Sequence, residues 1–273
     1  MLGKDVVRLL LTEGWGVIET DKETLDITDE AAVLAFVKKH EPQVIINCAA
    51  YNFVDDIEKD EIFTRAYAIN AEGPRNLAQA AKAVGATFVH YSTDYVFPGD
   101  KPHGYVEIDE TRAISRYGLT KELGEKFVLG AGAKSYIFRL SKIFGAPGIG
   151  EGSKESFVAL MLRLAKEKPE LKIVHEEVGC PSYTPDIAQA TLDVLYGTYA
   201  PGVYHLVNEG PGVTWYEFAE EIFAISNVKT PRIPVPSSAF PKPAARPKHA
   251  ALRNTKLPPL RTRHEALTEF LGL

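Results

Sequence analysis

A tyrosine and a lysine stand four residues apart, Tyr117 and Lys121, in a segment whose apolar spacing predicts a helix. Residues at this spacing share one helix face, so both side chains could reach one ligand. A phenol is a poor acid or base at neutral pH, but a nearby ammonium favours the phenolate and lowers the phenol pKa towards the working range. The pair could therefore serve proton transfer, although the same spacing also occurs on ordinary solvated helix faces.

A second polar group, Ser92, Thr93 and Asp94, follows the apolar run 87–91, which is typical of a strand. In parallel sheets, ligands bind beyond the carboxyl ends of the strands, so the Thr93 hydroxyl could bind a substrate carbonyl. The alternative is that Thr93 and Asp94 only form a turn or a helix cap. The order of strand, hydroxyl, loop and Tyr-x-x-x-Lys favours a catalytic site.

The elements that must position these residues alternate between helices and strands. Helical periodicity predicts helices at 4–11, 30–40, 64–84, 117–129, 157–165 and 215–225. Short apolar runs predict strands at 16–20, 44–50, 87–91, 135–140, 171–175 and 202–208. Because the strands lack an alternating polar face, the pattern predicts an α/β fold whose parallel sheet is covered by helices on both faces.

The overall composition argues against several kinds of binding partner. The 273 residues carry a net charge of -5 and no concentrated basic stripe, which predicts no nucleic-acid partner. The apolar runs are too short to span a membrane and no signal peptide opens the sequence, so we expect no membrane partner and a cytoplasmic location. The two cysteines, Cys48 and Cys180, are far apart, and the seven histidines show no metal-ligand spacing, so we expect no metal.

Several segments together resemble the dTDP-4-dehydrorhamnose reductases, which are extended short-chain dehydrogenase/reductases. The segments are 46–51 with Val54 and Asp55, 68–71, 92–97, 117–121, 179–184, 202–207 and 246–248. The resemblance covers essentially the whole chain. It implies a Rossmann-like doubly wound parallel sheet with a smaller C-terminal substrate-binding domain. We therefore expect residues 1–145 to bind the dinucleotide and residues 146–273, after a glycine-rich loop that includes Gly150 and Gly152, to be mainly substrate-binding, with part returning to pack on the first domain.

The resemblance also implies roles for individual residues. Tyr117 would supply a proton while hydride from a nicotinamide reaches the C4 carbonyl of a nucleotide-linked 4-keto sugar. Lys121 would bind the nicotinamide ribose and lower the tyrosine pKa, and Thr93 would position the carbonyl. The residues expected to contact the cofactor, NADPH or NADH, are Leu2, Gly3, Asp21, Asp26, Ile27, Ala49, Ala50, Tyr51, Tyr117 and Lys121. Those expected to contact the nucleotide-sugar substrate are Val54, Asp55, Thr93, Asp94, Tyr95, Lys142 and Arg246.

The sequence departs from the family pattern in two places. A dinucleotide-binding fold opens with a strand and a glycine-rich turn, whereas this sequence opens Met1-Leu2-Gly3. We expect Gly3 to be the last glycine of that turn, with the first strand and most of the turn absent from the sequence. Lys142 stands where the family usually has a tryptophan, which leaves the identity of the sugar open. Asp21 suits a ribose 2'-hydroxyl, but Lys22 beside it leaves both cofactors open.

These residues are compatible with three functions. The favoured one is reduction of dTDP-4-dehydro-L-rhamnose to dTDP-L-rhamnose, by a protein that could form a homodimer. A second is a non-catalytic dinucleotide-binding regulatory subunit, like the β subunit of methionine adenosyltransferase. A third is a sugar-nucleotide epimerase or dehydratase of the same superfamily. Asp94 followed by Tyr95 lacks the Asp-Glu pair that is usual in the dehydratases.

Overall fold

The computed structural model describes residues 1–148 and 155–273. Gly150 and Gly152 of the expected loop lie outside the described residues. The strands are β1 Val44–Asn47, β2 Thr87–Thr93, β3 Ser135–Leu140, β4 Ile143–Phe144, β5 Leu171–Val174, β6 Ser182–Tyr183, β7 Gly202–His205 and β8 Arg232–Val235. The α-helices are α1 Leu2–Thr12, α2 Glu30–His40, α3 Asp60–Tyr67, α4 Gly73–Val84, α5 Arg116–Ala131, α6 Phe157–Glu167, α7 Thr184–Tyr196, α8 Trp215–Ile225 and α9 Arg263–Phe270.

The main sheet is parallel, in the strand order β1-β2-β3-β7. Alternate residues of β2 point to opposite faces: Val89 packs with apolar residues of α1 and α7, and Phe88 packs with those of α2, α4 and α5. Helices therefore cover both faces of the sheet, as the apolar strands predict. The doubly wound α/β fold is confirmed.

Local sequence explains where several helices begin and end. The Asp29 carboxylate accepts from the backbone N–H of Ala32 and caps α2, which begins at Glu30 as the sequence predicts. Thr214 and Glu217 form a reciprocal capping box at the start of α8. Gly14 adopts a left-handed φ of 79° just after α1, which matches the predicted end of that helix.

The predicted strand at 16–20 is wrong. Residues 15–20 form no strand, and Ile18 in that segment is 56% exposed. Val17 is partly buried against the core, but no described strand forms a hydrogen-bonded ladder with the segment. β-branched residues favour a strand because they pack against a neighbouring strand, and here that neighbour is not among the described residues.

A second apolar core lies apart from the sheet. It joins Phe144 to side chains of α6, β5, α8 and α9, and β5 pairs in parallel with β8. Helix α7 and strand β7, although late in the sequence, belong to the core of the main sheet. The assignment of cofactor binding to residues 1–145 and of substrate binding to residues 146–273 stays a prediction. None of the described helices is long and apolar enough to cross a membrane.

Candidate active site

Two parallel strands and one helix bring the predicted residues together. β2 ends at Thr93, and a 3₁₀ turn, Asp94–Val96, follows it directly. Helix α5 begins after Ser115, whose hydroxyl accepts from the backbone N–H of Gly118, so that Tyr117 lies in the first turn. The ring of Tyr117 contacts the ring of Tyr95 edge-on, with centroids 5.5 Å apart. The predicted proximity of Thr93, Tyr95 and Tyr117 is thus found in the structure.

The phenol of Tyr117 is held in its protonated form. Burial raises the pKa of Tyr117 to about 12, while a hydrogen bond with the Thr93 side chain acts in the opposite direction. The expectation that Lys121 brings this pKa towards the working range stays a prediction, because the groups that shift the Tyr117 pKa here are its burial, Thr93 and Asp94. A protonated phenol beside a hydroxyl can act as a general acid.

Lys121 is buried and directed by two groups on β2. Its Nζ donates to the Tyr91 carbonyl at 2.7 Å and lies 3.2 Å from His90 Nε2. His90 Nδ1 in turn lies 3.2 Å from Asn47 Nδ2, at the end of β1. Burial lowers the pKa of Lys121 to about 8, and the Glu125 carboxylate opposes that shift. Because an ammonium has three protons, one remains for a ligand.

Asn47 and His90 were not identified as site residues from the sequence. His90 has the features of a structural histidine, since it is buried within an apolar strand. The signal that could have found the pair is register, because Asn47 and His90 are direct neighbours on the parallel strands β1 and β2.

Asp94 lies inside the site with both carboxylate oxygens engaged. The Thr93 hydroxyl donates to Oδ1 at 3.0 Å, and the Ser141 hydroxyl donates to Oδ2 at 2.6 Å. The same Ser141 oxygen accepts from the backbone N–H of Cys180 at 2.9 Å. Burial raises the pKa of Asp94 to about 6, and the hydrogen bonds from Ser141 and Thr93 oppose that rise. Ser141 is a further residue that the sequence analysis missed.

Asp55 and Arg246 pair with each other. Arg246 Nη1 lies 2.7 Å from Asp55 Oδ1 and Nη2 lies 2.9 Å from Oδ2, while Nη1 also donates to the Ala244 carbonyl at 2.7 Å. The hydrogen bond from Arg246 lowers the pKa of Asp55. This pair ties the segment after β8 to the segment after β1, where Val54 is half-buried.

Lys142 is directed at backbone carbonyls near the second core. Its Nζ donates to the carbonyls of Glu177 at 2.6 Å and Val213 at 3.0 Å, and lies 4.1 Å from the ring centroid of Trp215. The residue has a left-handed φ of 43°, and burial lowers its pKa to about 8. Two of the three ammonium protons are therefore used by backbone carbonyls, and the Trp215 ring packs against the ammonium, so the expected contact of Lys142 with the substrate stays a prediction.

The predicted cofactor residues fall into two sets. Near the end of β1, Ala49 and Ala50 are exposed, and Asn70 makes two hydrogen bonds with the backbone of Tyr51, at 2.8 and 2.9 Å. Gly3 lies beside this end, since a side chain there would meet Cys48 Cβ at 3.3 Å. The other residues lie in the core or in the loop before α2: Leu2 is buried, Asp21 and Asp26 accept hydrogen bonds from Thr24 and Thr28, and Ile27 packs on Gly73.

Among the described residues, no group of three or more His, Cys, Asp or Glu side chains is arranged to hold a metal ion.

Gly118, between Tyr117 and Lys121, sets how closely α5 approaches the 3₁₀ turn. A Cβ at this position would lie 2.3 Å from the Tyr95 carbonyl oxygen. We expect Gly118→Ala to push the helix away, to cost about 1–3 kcal/mol of unfolding free energy and to reduce turnover. Gly130→Ala in the same helix is the control, because a Cβ there meets nothing within 4 Å. Urea unfolding of both variants tests this, and equal stabilities would contradict it.

Comparison with known proteins agrees with this geometry. The family described as "RmlD substrate binding domain" matches residues 1–270. A dTDP-4-dehydrorhamnose reductase from Streptomyces griseus is 40% identical over 280 residues, covering 98% of this chain and 89% of its own. A crystal structure of the Bacillus anthracis reductase in complex with NADP has a TM-score of 0.92 at 36% identity, covering 99% of this chain and 95% of its own. One from Clostridium acetobutylicum has a TM-score of 0.91 at 40% identity, with the same coverage. This chain therefore belongs to the dTDP-4-dehydrorhamnose reductase family.

Proposed function

We propose that this protein uses NADPH or NADH to reduce the 4-keto group of a nucleotide-linked deoxysugar, with dTDP-4-dehydro-L-rhamnose as substrate and dTDP-L-rhamnose as product. The observation that carries the proposal is the protonated Tyr117 phenol, which lies beside the Thr93 side chain and one helical turn from the buried Lys121 ammonium. A carbonyl that receives a hydride needs a proton on its oxygen, and this arrangement can supply one.

The end of β1 fits a dinucleotide. Ala49 and Ala50 are exposed and small, so a flat ring can approach the backbone there, and Asn70 fixes the backbone of Tyr51 beside them. The start of α1 adjoins this end through Gly3, and helix N-termini favour phosphate groups. When bound, the nicotinamide cofactor supplies the hydride. The related Bacillus anthracis structure contains NADP.

The substrate phosphates fit the remaining edge of Arg246. Asp55 and Ala244 use both protons on Nη1 and one on Nη2, which leaves the Nε–H and the second Nη2–H on one side of the planar group. Throughout residues 1–148 and 155–273 these two protons meet no hydrogen-bond acceptor. Two parallel N–H groups match a phosphate, so we propose that Asp55 orients Arg246 towards the diphosphate.

Three side chains would carry the proton chemistry. Tyr117 donates its proton to the carbonyl oxygen, and Thr93 hydrogen-bonds the same oxygen. Lys121 places its remaining proton towards the nicotinamide ribose, and its positive charge stabilises the phenolate that Tyr117 becomes. We also propose that the protein acts in the cytoplasm as a homodimer, which fractionation and light scattering would test.

In the deciding experiment, the protein is incubated with dTDP-4-dehydro-L-rhamnose and NADPH or NADH. Nicotinamide oxidation and the sugar product are both followed by NMR. We expect dTDP-L-rhamnose in equal amounts to the oxidised cofactor. Cofactor binding without any sugar product would favour a regulatory subunit. A changed sugar without net cofactor oxidation would favour an epimerase or dehydratase.

A further inference from the structure

We infer that Asp94 is a positioning residue that decides where the single hydroxyl proton of Thr93 points, and that the protonated carboxyl is the form that releases this proton to the substrate. The inference rests on the proposed reduction. It concerns the hydrogen-bond chain Thr93, Asp94 and Ser141, which runs from the site into the interior.

When Asp94 is ionised, the hydroxyl proton of Thr93 is already used. Thr93 Oγ1 has one proton and two lone pairs. Its proton goes to Asp94 Oδ1 at 3.0 Å, and one lone pair accepts from the backbone N–H of Tyr95 at 3.3 Å. In this form Thr93 has no proton free for a carbonyl oxygen.

A proton on Asp94 reverses the direction of the chain. Ser141 Oγ accepts from the backbone N–H of Cys180, so its own proton stays on Asp94 Oδ2. The added proton must therefore lie on Oδ1, where it donates to Thr93. Thr93 can then give its proton to a substrate oxygen, beside the Tyr117 phenol.

One cation and three neutral groups lie around Asp94. Lys142 is the cation that faces it, while Tyr95, Tyr117 and the Cys180 thiol are neutral neighbours whose ionisation its charge opposes. Burial raises the pKa of Asp94 to about 6 against the effect of Lys142. The protonated form therefore predominates below that pH and declines above it.

The test is the pH profile of kcat at saturating cofactor and sugar. Each reaction is kept short enough that NADPH does not decompose. We expect the wild-type kcat to fall up to about tenfold per pH unit above the pKa of Asp94, in proportion to the protonated fraction. In Asp94→Asn the amide oxygen faces Ser141 and the NH2 group faces Thr93, which copies the protonated form permanently. This variant should lose the inflection between about pH 5 and pH 8.

Two serine variants distinguish the positioning role of Asp94 from a general effect on packing. Ser141→Ala removes a hydrogen bond that lowers the Asp94 pKa, so its inflection should move about one pH unit upward. Ser182→Ala is the matched control, because this buried hydroxyl donates to the Cys180 carbonyl at 2.8 Å instead of to Asp94. Its inflection should stay in place.

The outcomes distinguish this inference from the proposed function. If no sugar product forms at any pH, the proposed reduction fails and this inference fails with it. If product forms but the wild-type profile is flat, or if Ser141→Ala and Ser182→Ala have the same inflection, the reduction stands and the role of Asp94 is refuted. The serine comparison decides the matter even where Asp94→Asn does not fold.

Discussion

Tyr117→Phe is expected to remove nearly all reductase turnover and to leave NADPH affinity nearly unchanged. The change deletes one oxygen, which is the proton donor of the proposed reaction and lies beside the Thr93 side chain. General acid catalysis of this kind contributes about 10²–10⁴ in rate, so kcat should fall by that factor. The aromatic ring and its edge contact with Tyr95 remain, so cofactor affinity measured by calorimetric titration should stay close to the wild-type value.

Tyr136→Phe is the matched control for this variant. It also removes one tyrosine hydroxyl, which donates to the Tyr199 carbonyl at 2.8 Å and lies in the core of the main sheet. We expect it to lower stability by about 1 kcal/mol and to leave kcat unchanged. A Tyr117→Phe variant that turns over at more than about a tenth of the wild-type rate would refute the assigned proton donor.

Most of the fold was readable from the sequence because it depends on local patterns. Apolar spacing located α2, α8 and β3 at their observed bounds. The segment 16–20 has the same β-branched composition, yet it forms no strand, because a strand also needs a neighbour to pair with. The short strand β8 was missed because it lies at a proline-rich segment and is stabilised by its pairing with β5, about sixty residues earlier.

The site was only partly readable because much of it depends on contacts between distant segments. Spacing alone predicts that Tyr117 and Lys121 share a helix face. It does not reveal that Asp55 pairs with Arg246, which lies 191 residues away. Nor does it reveal that the Lys142 ammonium donates to two backbone carbonyls.

One buried ion pair, Arg139 with Glu125, joins the sheet to the helix that carries Tyr117 and Lys121. Arg139 Nε lies 2.9 Å from Glu125 Oε1 and Nη2 lies 2.7 Å from Oε2, and the two side chains are only 5% and 4% exposed. Glu125 lies one helical turn after Lys121 and favours its charged form. The pair therefore fixes α5 against β3 and supports the ammonium at the same time.

Glu125→Ala should be the most destabilising of the changes considered, because it leaves the Arg139 charge buried without a carboxylate. Breaking a buried pair in this way costs about 3–5 kcal/mol. The matched control is Glu167→Ala in α6, whose partner Arg163 is half exposed and which should cost only about 0.3–0.5 kcal/mol for the lost pair. Urea unfolding compares the two variants directly. Because Glu125 also favours the Lys121 ammonium, Glu125→Ala should further lower the pKa of Lys121. The Lys121 charge is then lost at lower pH, so NADPH binding should begin to weaken at lower pH than in the wild type. Equal unfolding free energies for the two variants would mean that the pair contributes no more than a surface contact, and that packing alone positions α5 on the sheet.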